Sequence, residues 1–259
     1  MKFTAPAWQS AVAELVAAED RADLCKALAG AVGTVVHDDG TCLVAYRSQA
    51  RPEVIHHTMT QRVAAHYIDR YLAGPYLLDP LYELALNAKR PGMFRFRDRS
   101  PDRFNVSAYY REYRLRTHLV DEADAVTPVA DGLTLALVIG RRSSRFTPRE
   151  LARLKGVGPV IHAAMGRIGR CLDPRVQADE LHQRMLDCFE GFGGELLTAR
   201  EREVAVLLLK GHSAKSVARE LQISPATVTV HRKHLYAKLQ VTSQAALFAY
   251  FLDAMTHLP

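Results

Sequence analysis

The chain opens on a helical pattern. Between residues 7 and 30 alanine and leucine recur at helical spacing, with Glu14, Glu19, Asp20 and Asp23 at polar positions, which predicts an amphipathic helix. Gly30 and Gly33 interrupt the pattern. Short strand-like runs follow at 33–37, 42–47 and 53–58, and Asp38-Asp39-Gly40 between the first two has the make-up of a tight turn. Helical spacing returns over 60–72, stopped by Gly74-Pro75, and over 80–88, stopped by Pro91-Gly92. A further helix is predicted over 104–116, and strands over 119–129 and 133–140 flank the hairpin signal Asp131-Gly132. Thr147-Pro148-Arg149-Glu150 joins a capping box to a proline at the first helical position and opens a long helix to Ile168.

Hairpins imply an antiparallel sheet, and long helices must cover its faces. The expected fold class is α+β: residues 1–171 form an α/β/α sandwich with an antiparallel sheet, of the kind found in sensory domains, and an all-α four-helix domain follows. Residues 172–194 read as a connector, with a helix over 175–190 and a flexible joint at Gly191-Phe192-Gly193-Gly194. Residues 195–259 are the second domain.

There the pattern sharpens. Thr198-Ala199-Arg200-Glu201 is a second capping box, followed by the apolar face Val204, Leu207 and Leu208, with Gly211 as the end cap. Ser213 starts a second helix with Val217, Ala218 and Leu221 facing inward. After the short turn Gln222-Ile223, Ser224 and Pro225 start a third helix, to about Leu239. A fourth begins after Thr242-Ser243. Two helices joined by so short a turn meet steeply, as in a helix-turn-helix, whose second helix enters the DNA major groove. Residues 224–239 hold Arg232, Lys233 and Lys238 and no acid, which suits a phosphate-lined groove. An ordinary four-helix bundle with a basic third helix is the open alternative.

Composition narrows this picture. The 259 residues are 48% hydrophobic and 24% charged, enough for two cores. A net charge of +6 is compatible with a polyanionic partner without establishing one. Cys25, Cys42, Cys171 and Cys188 form no C-x-x-C pair and no zinc-finger spacing, so reduced thiols are expected. The start of the chain lacks the basic and apolar segments of a signal peptide, and apolar runs such as 133–139 are too short to span a bilayer. A cytoplasmic location is expected, with no membrane partner, no metal and no cofactor. No G-x-S-x-G, P-loop, H-E-x-x-H or G-x-G-x-x-G occurs, so no enzyme is expected.

The segment 197–243 resembles the LuxR-type helix-turn-helix. The resemblance rests on Leu197-Thr198, Arg200-Glu201-Arg202-Glu203-Val204, Gly211, Ser213, Lys215, Val217-Ala218, Leu221, Ile223-Ser224, Thr227-Val228, His231 and Lys238-Leu239. It implies a sequence-specific, double-stranded-DNA-binding transcriptional regulator. Thr229, Val230 and Lys233 correspond to its base-reading positions, and Arg232 is expected to contact bases beside them. Lys215, Ser224, Thr227 and Lys238 correspond to phosphate contacts, and Glu203 to a structural residue. Thr229 stands where the family usually has lysine. It makes one hydrogen bond, or sets its methyl against a thymine methyl, but cannot make the charged contact to guanine. Gln244 replaces a usual arginine.

Three controls fit the N-terminal part: phosphorylation, a small molecule, or a partner protein. A receiver domain is disfavoured, because Asp38-Asp39 falls in a predicted turn and the rest of its pattern is missing. Residues 67–140 are similar to the autoinducer-binding domain of quorum-sensing LuxR proteins, through Tyr67, Tyr71, Asp79-Pro80 and Phe94. The similarity implies a small-molecule ligand held by Tyr67, Tyr71, Asp79 and Phe94, and a homodimer. The amphipathic pair over 147–170 and 175–190 also suits a dimer. Tyr67 and Phe94 replace usual tryptophans, and the Tyr71-to-Asp79 spacing is one residue short. A non-lactone metabolite is therefore expected rather than an acyl-homoserine lactone. Asp79 suits a pocket acceptor and a helix cap alike. The nine Lys or Arg against three acids over 89–116 fit an anionic ligand, flanking DNA or a solvated face. A regulator that docks a partner protein and has no ligand is the alternative.

Overall fold

The computed structural model describes residues 6–112, 114–173 and 179–256. They form two compact units: Met1–Ile68, Glu83–Arg99 and Leu119–Gln177 in the first, and Asp69–Tyr82, Ser100–His118 and Ala178–Pro259 in the second.

The first helical stretch is two helices, α1 (Pro6–Ala17) and α2 (Arg21–Val35). The break follows from Asp20, whose carboxylate accepts the Asp23 N–H at 2.8 Å and caps α2. The strand expected at 33–37 is absent, because α2 runs through Gly30 and Gly33 to Val35. Glycine inside a helix costs about 1 kcal/mol. Burying Leu24, Leu28, Ala31 and Val32 on one face outweighs that, at about 1.5–3 kcal/mol for each large side chain. Asp38-Asp39-Gly40 is accordingly no hairpin turn. Its carboxylates accept the Gly40 and Arg142 N–H groups and fasten the chain as it enters the sheet.

β1 (Gly40–Arg47) and β2 (Ala50–His57) form the first hairpin. The chain continues through α3 (Gln61–Leu72), α4 (Pro80–Leu86) and β3 (Gly92–Arg95). After α5 (Ala108–Glu112) come β4 (Asp121–Ala130) and β5 (Leu133–Arg141), turned at Gly132 with φ of 72°. The five strands lie in the order β2-β1-β5-β4-β3, and every pairing is antiparallel. His57, Cys42, Val138, Asp124 and Phe94 make one register row across all five.

One sheet face buries Leu43, Ala45, Ala123, Leu135 and Ile139 in a core with Trp8, Leu28, Leu154, Ile161 and Met165. These side chains come from α1, α2 and the long α6 (Pro148–Arg170). The Thr147–Glu150 capping box forms as expected. Arg141 donates to Glu150 at 2.8 Å and holds the start of α6 to β5. At the far end Gly169 passes so close to β4 that a Cβ there would lie 2.6 Å from Val129. By strand alternation the opposite face carries Tyr46, Val44, Ala136 and Val126, with the buried carboxylates Glu122 and Asp124.

In the second unit the helix expected over 104–116 is broken into α5 between two 3-10 turns, Phe104–Val106 and Arg114–Thr117. Ser107 is extended, and its hydroxyl accepts the Tyr110 N–H at 3.1 Å, so it starts α5 afresh. The connector helix is seen as α7 (Glu180–Glu190), capped by Asp179. Its expected first residues, 175–178, lie outside the described residues. The tyrosine hydroxyl of Tyr76 lies 2.7 Å from Nδ1 of the buried His182 on α7. After α7, Gly193 takes φ of 80°, and Phe192 is buried edge-on against Tyr250 and Phe251. Four helices complete the chain: α8 (Ala199–Lys210), α9 (Ala214–Glu220), α10 (Pro225–Lys238) and α11 (Gln244–Thr256).

Candidate nucleic-acid interface

Each helix of the C-terminal module starts where its cap residues dictate. Thr198 and Glu201 close a full capping box on α8, Ser213 accepts the Ser216 N–H on α9, and Ser224 accepts the Thr227 N–H on α10. Gly211 ends α8 with φ of 95°, as its place after the apolar face predicts. Between α9 and α10 the chain reverses through Gln222 at φ of 55°, and the Ile223 N–H returns to the Ala218 carbonyl at 2.9 Å.

α10 is anchored by Val228, Leu235 and Leu239 at helical spacing, all buried. A step of about 100° per residue turns Ala226, Val230, Lys233 and Ala237 to the opposite side. Thr229, Val230 and Lys233 are exposed there, Val230 by 50%, while Arg232 is half-buried on the flank. The Thr229 hydroxyl donates to the Pro225 carbonyl at 3.0 Å. Lys215, Ser224 and Thr227 are exposed at the starts of α9 and α10.

Lys238 is engaged within the fold by a contact that no local pattern revealed. Its Nζ lies 2.6 Å from Oε2 of Glu201, a carboxylate only 5% exposed, and so ties the last turn of α10 to the first of α8. Burial raises the Glu201 pKa, but the Lys238 ammonium and the Thr198 N–H and hydroxyl outweigh it and hold the group at about 2. Arg200 closes the other side by donating to the Leu221 carbonyl at 2.6 Å. Glu203 pairs with Arg200 at the surface, so the buried structural carboxylate of α8 is Glu201.

The four residues expected around a ligand are divided between the units. Tyr67 on α3 and Phe94 on β3 belong to the first; both are half-buried, and the Arg99 guanidinium lies 4.7 Å from the Phe94 ring centroid. Tyr71 and Asp79 are buried in the second. Asp79 acts as the helix cap, its Oδ1 accepting the Leu81 N–H at 2.9 Å. The Tyr71 ring stands edge-on to Tyr76 at 6.1 Å.

A residue absent from the sequence expectations also reaches the module. Asp102 accepts hydrogen bonds from the Ser213 N–H and hydroxyl, and the Arg103 N–H donates to the Gly211 carbonyl at 3.1 Å. A separation of 111 residues leaves no signal in sequence for such a contact.

Residues 195–251 match the family described as bacterial regulatory proteins, luxR family. A putative HTH-type transcriptional regulator from the exeN 3' region of Aeromonas salmonicida is 37% identical over 160 residues, 58% of this chain and 82% of that protein. The chain belongs to the luxR family of bacterial regulatory proteins. This LuxR-family chain is therefore a DNA-binding transcriptional regulator and not an enzyme. It is also 26% identical over 214 residues to the monoamine regulon transcriptional regulator of Klebsiella aerogenes, 80% of this chain and 82% of that one. Its N-terminal region has the fold of the VqsR LBD domain from Pseudomonas aeruginosa, with a TM-score of 0.58 and 27% identity. That likeness covers 65% of this chain and 100% of the other. Among the described residues no helix is long and apolar enough to cross a membrane.

Proposed function

We propose that this LuxR-family regulator acts in the cytoplasm as a homodimer and changes its DNA binding when its N-terminal region takes up a small, non-lactone metabolite. The observation that carries the sensing half is the likeness of that region to the VqsR LBD domain. The Klebsiella relative serves a monoamine regulon, which makes amines the first compounds to try. Tyr67, Tyr71, Asp79 and Phe94 are the residues proposed to govern the response. A tyrosine hydroxyl donates to a polar ligand group, a carboxylate accepts from an amide or ammonium, and a phenyl ring covers an apolar body.

On the DNA side, Thr229, Val230, Arg232 and Lys233 are proposed to face bases, and Lys215, Ser224, Thr227 and Lys238 the phosphates. Support comes from the exposure of Val230 and Lys233 opposite the buried line of α10. With its hydroxyl engaged by Pro225, Thr229 offers a methyl, and Val230 offers two more. Thymine methyl groups are their natural counterparts.

Thermal melting of the full chain against a panel of monoamines and acyl-homoserine lactones tests the sensing claim. A ligand at about 100 times its Kd adds about 2.7 kcal/mol of stability. A rise with an amine or another non-lactone supports the proposal. A response to lactones alone contradicts its non-lactone part, and no response to any compound together with a stoichiometric bound protein favours control by a partner protein.

A further inference from the structure

The contact between Asp102 and the start of α9 has a chemistry that bears on DNA access. In a helix-turn-helix the first helix of the pair crosses the DNA backbone, and here that helix is α9, with Lys215 exposed in its first turn. Two residues before Lys215, the Asp102 carboxylate takes both the N–H and the hydroxyl of Ser213. An anion fixed there repels a phosphate backbone approaching Lys215 and keeps these donors from it.

The contact is a fitted surface rather than one side chain. The Arg103 N–H donates to the Gly211 carbonyl. A Cβ on Gly211 would stand 2.9 Å from the Phe104 Cα and 3.0 Å from the Ser107 Cβ. Phe104, Ser107 and Tyr109 are buried beneath this stretch, with Phe104 and Tyr109 ring to ring at 5.6 Å. The segment Ser100–His118 thus packs as part of the same unit as α8–α11, although the chain reaches it before β4.

We propose that residues 102–107 are an intramolecular latch: Asp102, seated on Ser213, and the DNA backbone exclude one another at the start of α9. Displacing the segment then switches DNA binding on. The inference rests on the assignment of α9 and α10 to DNA and adds a residue-level control to it.

Full-length protein tests this by fluorescence anisotropy with a duplex from upstream of its own gene and a shuffled duplex. Asp102→Asn removes the charge and keeps the shape. Asp98→Asn removes an equal charge from an exposed residue nearby whose ion-pair partner is Arg97 at 4.0 Å. Asp102→Asn is expected to tighten binding to both duplexes about tenfold, the worth of roughly one charge-assisted hydrogen bond. Asp98→Asn is expected to change it far less. Equal effects of the two variants, or weaker binding by Asp102→Asn, overturn the latch. Hydrogen exchange on the unmodified protein is the second reading: saturating DNA must raise exchange at residues 102–107, and unchanged protection there overturns the proposal. If no variant, nor the unmodified chain, binds either duplex, the assignment of α9 and α10 falls and the latch falls with it.

Discussion

Thr229 is the residue at which this chain departs most tellingly from the lysine usual in its family. Because its hydroxyl donates to Pro225, Thr229→Val is expected to leave DNA affinity nearly unchanged, whereas Thr229→Lys moves base preference towards guanine. Replacing thymine by uracil at the contacted step costs about 1 kcal/mol, the worth of one buried methyl; selection from a random duplex pool, followed by titration, measures both. Lys238 is the second telling residue. Lys238→Met removes a charge-assisted bond to the buried Glu201 and is expected to cost about 2 kcal/mol of unfolding free energy by urea titration. The pH dependence follows from the same pair. Glu201 is depressed from its ordinary 4.5 to about 2, so its stabilisation is whole above pH 4.5 and is lost as pH falls towards 2. The Lys238→Met variant should therefore lose less stability than the unmodified chain across that window. The family resemblance implies a phosphate contact for Lys238. Its bond to Glu201 is not legible in the sequence, because the partner lies 37 residues away.

At the scale of elements, caps were the most legible feature. Both capping boxes, the serines at 213 and 224 and Gly211 start and stop helices where the sequence says they must, since these signals act within four residues. Glycine misleads in α2: Gly30 reads as a break, yet burial of Leu24, Leu28, Ala31 and Val32 carries the helix on. Two glycines turn that lesson into measurements. Gly30 is exposed and a Cβ there meets nothing within 4 Å, so Gly30→Ala is expected to stabilise by about 0.5–1 kcal/mol. Gly169 has Val129 at 2.6 Å from any Cβ, so Gly169→Ala forces α6 away from β4 and is expected to destabilise by about 1–3 kcal/mol. Thermal melts of the two variants should shift in opposite directions. The helix expected over 104–116 failed for the converse reason: Ser107 reads as an ordinary polar position but is used as a cap.

At the scale of the whole molecule, the order of elements was readable and their grouping was not. Hairpin turns and helical periods predict an antiparallel sheet with flanking helices and a C-terminal helical region, and that architecture is observed, but its fifth strand is the short β3, where no strand was expected, and not the one expected at 33–37. The inclusion of Asp69–Tyr82 and Ser100–His118 in the unit of the C-terminal helices depends on pairings such as Tyr76 with His182 and Asp102 with Ser213, each more than a hundred residues apart in sequence. No periodicity records contacts of that range. A homodimer with two-fold symmetry would place two copies of α10 about one helical turn of DNA apart, so its selected sites should be palindromes with that spacing.

The central claim is that α10 reads DNA through Val230 and Lys233, with Arg232 contributing from the half-buried flank of the helix. Enrichment of bound duplexes from a random pool yields the preferred site, and a gel-shift titration on that site compares the unmodified chain with an Arg232→Ala, Lys233→Ala double variant. Loss of specific binding, with an unaltered thermal melt and only weak, salt-sensitive binding left, is the result predicted. Unchanged affinity of the double variant for the selected site would contradict the account.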